Sequence, residues 1–163
     1  MASQINDNTE YDFASANAGA APTFPVQANH LKQGGFVVID GHPCKITNIA
    51  KSKPGKHGHA KVVVTGTDIS TGKKHEAGGP AGHSMDVPEV RRTSYMLLNV
   101  GRDGFLTLFD GATGGQKIDV RTPEGELGEK IREKFWDGKD CNVVVLGAMG
   151  QEIAVEVVER DRE

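Results

Sequence analysis

The sequence predicts an all-β protein made of two small barrels, with one main helix in the second barrel. Glycine is abundant, at 21 of 163 residues, and aromatic residues make up only 6%. This composition suits short strands joined by tight turns better than a helical bundle. Short apolar runs alternate with turn signals along the chain, and the pattern restarts near residue 90. We therefore expect two domains of about sixty to seventy residues each, which a chain of this length can accommodate.

The first segment, residues 1–26, is rich in Ala, Ser, Asn and Gly and shows no apolar periodicity. We predict a disordered acidic tail here, because such a composition cannot bury enough apolar surface to offset the entropy lost on ordering. The segment carries Asp7, Glu10 and Asp12 and no basic residue. An edge strand or a short helix is the alternative.

Residues 27–89 predict about five short strands without a helix, which is typical of an SH3-like barrel. The run GGFVVIDG ends in Asp40-Gly41, a hairpin signal. HPCKITNIA and HAKVVVTGTDI follow as strands, and residues 70–73 form another turn. The run VPEVRR predicts a short, stiff linker near residues 87–92.

Residues 90–163 predict an OB-fold, because three strands, a helix and two strands follow one another. The expected strands are SYMLLNV, GFLTLF, KIDVRT, NVVVLGAM and EIAVEVVE. Turns at residues 101–104 and 110–115 separate the first three.

The helix of this second domain is expected over residues 124–137. Thr122 is a candidate N-cap and Pro123 a candidate first helical residue. Leu127, Ile131 and Phe135 recur every four residues and form the predicted buried face. Gly138 should end the helix as its C-terminal cap.

Cysteine content and targeting signals limit the cellular setting. The two cysteines, Cys44 and Cys141, do not form the pattern of a disulfide framework, so a reducing compartment is expected. Cys44 follows a proline in a strand-like run and is expected to be a buried structural thiol. The N-terminus lacks the basic start and apolar stretch of a secretory signal, and no apolar run approaches a membrane span.

The run KSKPGKHGHAK, residues 51–61, concentrates positive charge on a turn between two apolar strands. From Asp40 to Asp68 the chain contains five lysines and no acid between them. Lysines can meet phosphates as point charges, and glycines at 55 and 58 let a partner approach the backbone. We therefore predict that the turn contacts a polyanion; a solvated, mobile turn is the alternative.

Three other functions are conceivable for this turn. A phosphate-binding P-loop is excluded, because Gly55-Lys56 is followed by a histidine and then by a strand. A zinc site could use His57 and His59 with His42 and Cys44, but the neighbouring lysines would repel a cation. We therefore predict no metal site. No nucleophile stands beside a base at a recognisable spacing, so we also predict no catalytic residue.

The same run resembles the lysine loop of the eukaryotic translation elongation factor 5A family. It is also similar to archaeal factor 5A and, more distantly, to bacterial elongation factor P. GGFVVIDGHPCKITNIAKSKPGKHGHAKVVVTGTDISTGKKHE resembles most of the family's first domain, and HSMDVPEVRR resembles its domain junction. TPEGELGEKI is similar to the family's sequence at the start of the OB helix, and the resemblance covers about residues 27–158. Pro54 stands where the eukaryotic loop usually has threonine.

The resemblance implies that Lys56 is converted to hypusine with an aminobutyl group from spermidine. Deoxyhypusine synthase and deoxyhypusine hydroxylase would be the modifying enzymes, and no cofactor is expected. Contacts to RNA, tRNA or the modifying enzymes are implied for the rest of the loop: Lys53, Gly55, His57, Gly58, His59 and Lys61.

The implied protein is an accessory translation factor and not an enzyme. It would bind the ribosome near the E and P sites, where the modified lysine approaches peptidyl-tRNA. There it would promote slow peptide bonds, such as those between consecutive prolines, and termination. A cytoplasmic location is implied, with the nucleus as a second compartment, and no membrane partner. The alternative is a general RNA-binding or export adaptor that works without hypusine and binds free RNA in a salt-sensitive way.

Overall fold

The computed structural model describes residues 23–53 and 60–161. Within these ranges the chain forms eleven strands, one short 3-10 turn and one α-helix, so the predicted all-β class is confirmed. The chain divides into two compact units between Glu89 and Val90, with residues 148–150 grouped with the first. No helix of the described chain is long and apolar enough to cross a membrane.

The first unit contains six strands within the described residues. They are β1 (Thr23–Gln27), β2 (Phe36–Ile39), β3 (His42–Ser52), β4 (Lys61–Asp68), β5 (Lys74–Pro80) and β6 (Ser84–Pro88). Strands β2 to β5 form an antiparallel sheet in chain order, and β1 pairs antiparallel with β6 in a two-stranded ribbon. A 3-10 turn, Ala28–His30, connects β1 to the rest of the unit.

The predicted hairpin at Asp40-Gly41 is confirmed. Ile39 pairs with His42, so the turn between β2 and β3 has two residues. Asp40 and Gly41 have φ values of 52° and 79°, and two successive positive φ values are the signature of a type I′ turn. Aspartate and glycine tolerate this region of backbone space better than other residues, which is why the pair marks the turn in the sequence.

The N-terminal boundary needs a correction. Most of the predicted disordered tail, residues 1–22 of 1–26, lies outside the described residues. Residues 23–26, however, belong to β1, where Phe24 pairs with Val87 and Pro25 with Asp86. For these residues the structure agrees with the alternative of an edge strand. The proline is tolerated there because no neighbouring strand needs the N–H that it lacks.

The core of the first unit follows from the two-residue period of its strands. Alternate residues of β2, β3 and β4 point to one face and are buried there. The buried cluster consists of Ala28, Leu31, Val37, Ile39, Cys44, Ile46, Val62 and Val64.

The second unit has the predicted element order of an OB-fold. Its elements are β7 (Arg91–Val100), β8 (Phe105–Phe109), β9 (Gln116–Arg121), α1 (Glu126–Trp136), β10 (Cys141–Ala148) and β11 (Gln151–Glu159). The strand order in the sheet is β11-β10-β7-β8-β9. Lys117 on β9 donates to Glu152 on β11 at 2.7 Å, so the two outer strands approach each other and the sheet curls towards a barrel.

Helix α1 begins later than predicted. It starts at Glu126, so Thr122 is not the N-cap and Pro123 is not a helical residue. The N-cap is Gly125, whose φ of 82° and ψ of −155° form a backbone conformation open almost only to glycine. The helix cannot extend back through that residue.

The other helix predictions are confirmed. Ile131 is fully buried, and Leu127 and Phe135 pack against the same core. Gly138 has a φ of 74° and donates its N–H to the carbonyl of Phe135. The N–H of Lys139 reaches the carbonyl of Lys134, which completes a Schellman motif and ends the helix.

Candidate functional site

Strands β3 and β4 carry the two sides of the basic segment. Ser52 and Lys61 form their last pair, so residues 53–60 connect the two strands. β-branched residues dominate β4, whose inward-facing Val62 and Val64 are buried. Side chains of this kind favour a half-buried sheet, and they hold the ends of the connection at a fixed place.

Two of the predicted site residues lie in the described chain. Lys53 and Lys61 are exposed and stand at the two ends of the connection. The remaining predicted residues lie outside the described residues: Gly55, Lys56, His57, Gly58 and His59, together with Pro54.

The base of the connection is anchored by backbone hydrogen bonds. Ala81 donates its N–H to the carbonyl of Ala60 at 2.9 Å, and Asn29 donates to the carbonyl of Ala81 at 3.1 Å. The ammonium group of Lys51 donates to the carbonyl of Asn29 at 3.2 Å. The end of β3, the start of β4 and the 3-10 turn are thereby tied together, which gives the connection a firm base.

Three lysines give this base positive charge. The side chains of Lys51, Lys53 and Lys61 are all exposed. The histidine–carboxylate contacts of this unit, His42 with Asp68 and His75 with Asp40, involve other side chains. An exposed group of positive charges attracts a polyanion such as RNA.

A second surface, on the OB unit, was not singled out by the sequence. An open groove is lined by Asn99, Arg102, Phe105, Thr107, Ile118 and Asp119. The guanidinium of Arg121 lies 4.7 Å from the centre of the Phe105 ring, and Ile118 is 65% exposed. OB-folds commonly bind oligonucleotides on this face, formed by their second and third strands.

One lysine close to this groove is already held by carboxylates. Lys117, on the same strand as Ile118, donates to Glu152 at 2.7 Å and lies 3.0 Å from Asp119. Burial opposes its charge, but these two carboxylates outweigh burial and raise the pKa of Lys117. A lysine already held by two carboxylates has little attraction left for a phosphate. We take the base of the β3–β4 connection, with its three exposed lysines, as the candidate for a polyanion contact.

His42 and Cys44, which the sequence suggested as ligands of one zinc site, do not share a site in the structure. Cys44 is fully buried as a free thiol and donates to the carbonyl of His42 at 3.4 Å, which confirms its structural character. His42 instead lies beside Asp68 and His75, two residues that the sequence analysis did not connect with it. These three come from separate strands, and no local spacing marks them.

Comparison with known families matches both units of the chain. Residues 21–83 match the family described as "Translation initiation factor 5A-like, N-terminal". Residues 89–157 match the family described as "Eukaryotic elongation factor 5A hypusine, DNA-binding OB fold".

Individual proteins give the same result. The chain is 51% identical over 146 residues to eukaryotic translation initiation factor 5A-2 of Schizosaccharomyces pombe, covering 88% of this chain and 84% of the relative. It is similar to a solved factor 5A family protein from Naegleria fowleri, with a TM-score of 0.72 and 43% identity over 83% of this chain and 97% of that one. A solved factor 5A from Methanococcus jannaschii gives a TM-score of 0.70 at 31% identity, covering 83% of this chain and 95% of that one.

Proposed function

This chain belongs to the factor 5A family of translation factors, and from that premise we propose that it is an elongation factor that acts on the ribosome through hypusine at Lys56. It binds near the E and P sites and stabilises peptidyl-tRNA. In that position it promotes slow peptide bonds, such as those between consecutive prolines, and it aids termination.

The anchored positive base of the β3–β4 connection is the observation that supports this proposal. Lys53 and Lys61 are exposed at its ends, and Lys51 is held against the carbonyl of Asn29. Lys56 lies midway along the same connection in sequence, between strands that pair up to Ser52 and Lys61. A partner made of RNA phosphates would meet positive charge on both sides of Lys56.

The modification explains why a lysine is needed at this position. Addition of an aminobutyl group from spermidine by deoxyhypusine synthase, followed by hydroxylation by deoxyhypusine hydroxylase, lengthens the side chain and adds a second amine. A long, thin cation can enter an RNA-lined channel that a protein backbone cannot enter. The ribosome performs the chemistry, while this protein supplies positioning and electrostatic stabilisation. The protein is thus a substrate of the two modifying enzymes rather than an enzyme, it needs no cofactor, and it works in the cytoplasm.

A reconstituted translation assay tests the proposal. Wild-type protein and the Lys56→Arg variant would be produced together with the synthase and the hydroxylase, then added to ribosomes translating a message with consecutive proline codons. We expect the wild-type protein to accelerate synthesis past the prolines and the variant to lose this effect, because arginine keeps the charge but cannot be modified. Lys45→Arg is the matched control, since Lys45 is exposed at the other end of β3.

The same variant separates the proposal from the RNA-adaptor alternative. Equal acceleration by Lys56→Arg would contradict a hypusine-dependent role. If that variant also bound free RNA as tightly as the wild-type protein at physiological salt, the adaptor function would be the better account.

A further inference from the structure

Three side chains from neighbouring strands meet at the end of the first sheet opposite the lysine connection. His42 begins β3, Asp68 ends β4 and His75 is the second residue of β5. Cys44 pairs with Asp68, and Gly66 pairs with His75. Because side chains two residues apart share a face of a strand, all three residues lie on the same face of the sheet at one rim.

The polar atoms of this cluster are close together. One ligand atom from each of His42, Asp68 and His75 lies within 4.8 Å of the others. Nδ1 of His42 is 3.3 Å from Oδ2 of Asp68. The two imidazole rings are stacked, with centroids 4.9 Å apart and an angle of 21° between their planes. Nδ1 of His75 is 3.7 Å from Oδ2 of Asp40, which adds a second carboxylate at the edge.

Asp68 is held in place for this contact. It is only 3% exposed, and its Oδ1 accepts hydrogen bonds from the N–H groups of Ser70 at 2.8 Å and Thr71 at 3.4 Å. These bonds orient the carboxylate and leave Oδ2 directed at the histidines. Orientation of a ligand by hydrogen bonds from surrounding groups is a regular feature of metal sites.

His75 also has one unpaired polar atom. Its Nε2 is buried and has no hydrogen-bond partner among the described residues. A buried polar atom left unpaired costs free energy, and native structures rarely leave one without an explanation. A metal ion coordinated by the imidazole of His75 would supply such an explanation.

We propose that His42, Asp68 and His75 bind a divalent transition-metal ion of the Zn²⁺ type. Two imidazoles and one carboxylate are a ligand set that suits Zn²⁺, whereas Mg²⁺ and Ca²⁺ prefer oxygen ligands alone. With bonds of about 2.0–2.2 Å, ligand atoms around zinc stand about 3.3–3.5 Å apart, so the present atoms need to close by roughly 1.5 Å at most. His42 is about half exposed, at 47% of its side chain, and has room to rotate. Water or Asp40 would complete the coordination.

The surrounding charges permit a cation here. Lys74 precedes His75 in β5, so its side chain points to the opposite face. Lys51 and Lys61 lie at the far ends of β3 and β4, and Lys53 lies just beyond β3. A bound ion would link the start of β3, the end of β4 and the start of β5, and would stabilise the unit without involving Lys56. The inference therefore does not depend on the proposed ribosomal function.

Zinc titration of the full-length chain tests the proposal. Tag-free protein, stripped with a chelator, would be titrated with Zn²⁺ by isothermal calorimetry, and its thermal midpoint would be measured with and without the ion. The variants are His42→Ala and His75→Ala. His83→Ala is the matched control, since His83 is an exposed histidine of the same unit outside the cluster. The double variant His57→Ala/His59→Ala covers the other histidine pair, which the sequence hypothesis had connected with zinc.

We expect one equivalent of Zn²⁺ to bind and to raise the midpoint of thermal unfolding, because an ion that binds only the folded state stabilises it. His42→Ala and His75→Ala should each weaken binding by at least about tenfold, while His83→Ala and the double variant bind as the wild type does. Circular dichroism of each variant establishes that it is folded. Co²⁺ should give a visible absorption band that both cluster variants lose. Absence of stoichiometric binding would overturn the proposal, and so would binding that is lost only in the double variant.

Discussion

Among single residues, the two cysteines show most clearly how burial lowers the reactivity of a side chain. Cys44 is 0% exposed and Cys141 is 1% exposed. Burial raises the pKa of both thiols above the ordinary value, and the negative charge of Asp68 adds to the shift at Cys44. The thiolate is the reactive form, so both groups stay protonated and inert at neutral pH.

We expect the native protein to react with a thiol reagent such as dithionitrobenzoate far more slowly than free cysteine does at pH 8. After unfolding in guanidinium chloride, both cysteines should react at once. Each reacting cysteine releases one thiolate from the reagent, and the absorbance of that thiolate gives the number of cysteines that have reacted. In the native protein, the rate should keep rising with pH beyond the range of an ordinary thiol. Rapid native-state labelling of Cys44 at neutral pH would contradict the structural assignment.

The cluster of His42, Asp68 and His75 could not be found from single residues in the sequence. His42 and Cys44 stand together in the chain and suggested a shared zinc site with the loop histidines. In the structure the two side chains have different surroundings. Cys44 packs into the core, and His42 lies beside Asp68 and His75. The partners of His42 come from two other strands, and only the pairing register of the sheet brings them together.

At the scale of elements, the β3–β4 connection should bind RNA through its charged ends. Replacing both Lys53 and Lys61 with alanine should weaken ribosome binding and reduce the slope of log affinity against log salt by about 0.7–0.9 for each phosphate that is no longer neutralised. Equilibrium binding at several salt concentrations, with Lys56 fully modified, measures this. Lys45→Ala should leave the slope unchanged. A double variant with the wild-type slope would mean that these two lysines are only solvated.

In helix α1, one glycine-to-alanine substitution should have the opposite effect to the one that helix propensity predicts. Replacing an interior helical glycine by alanine normally stabilises a protein by about 1 kcal/mol. At Gly128, however, an added Cβ would collide with the carbonyl oxygen of Pro123. We therefore expect Gly128→Ala to lower the free energy of unfolding, measured by chemical denaturation.

Lys130→Ala is the control for this helix variant. Lys130 is exposed on the same helix, and a substitution there should change the free energy of unfolding by less than about 0.5 kcal/mol. Stabilisation by Gly128→Ala would show that the chain before α1 can move away from the helix.

The elements that the sequence predicted well are those with strong local signals. The Asp40-Gly41 turn, the four-residue repeat of Leu127 and Ile131, and the glycine that ends α1 all act through nearby residues. The start of α1 was mistaken, because Thr122 and Pro123 look like a helix start while Gly125 adopts a conformation that stops it. Strand β1 was only an alternative to the disordered tail, because its identity depends on pairing with β6, about sixty residues away in the chain.

At the scale of the whole molecule, each unit has its own core within the described residues. The first centres on residues such as Val37 and Val64, and the second centres on residues such as Leu108 and Ile131. A cavity made in one core should therefore weaken the backbone hydrogen bonds of its own unit before those of the other unit.

Ile131→Ala tests this division. Ile131 is fully buried, so the variant should lose about 2–5 kcal/mol of unfolding free energy. Amide hydrogen exchange should accelerate in β7 to β11 and stay near the wild-type rate in β2 to β5. Leu98→Ala, at a leucine of the same unit that is 38% exposed, is the milder control. Equal acceleration in both units would show that the chain unfolds as one cooperative body.

The mass of the peptide that contains Lys56 decides between a hypusine-dependent factor and an ordinary basic surface. Protein isolated from the cells that make it would be cleaved after aspartate, since no acid lies between Asp40 and Asp68 and one peptide then spans the whole connection. We predict that this peptide carries a hydroxylated aminobutyl group and that fragmentation assigns it to Lys56. Unmodified lysine at position 56 throughout the sample would contradict the proposed function and leave the connection as an ordinary basic surface.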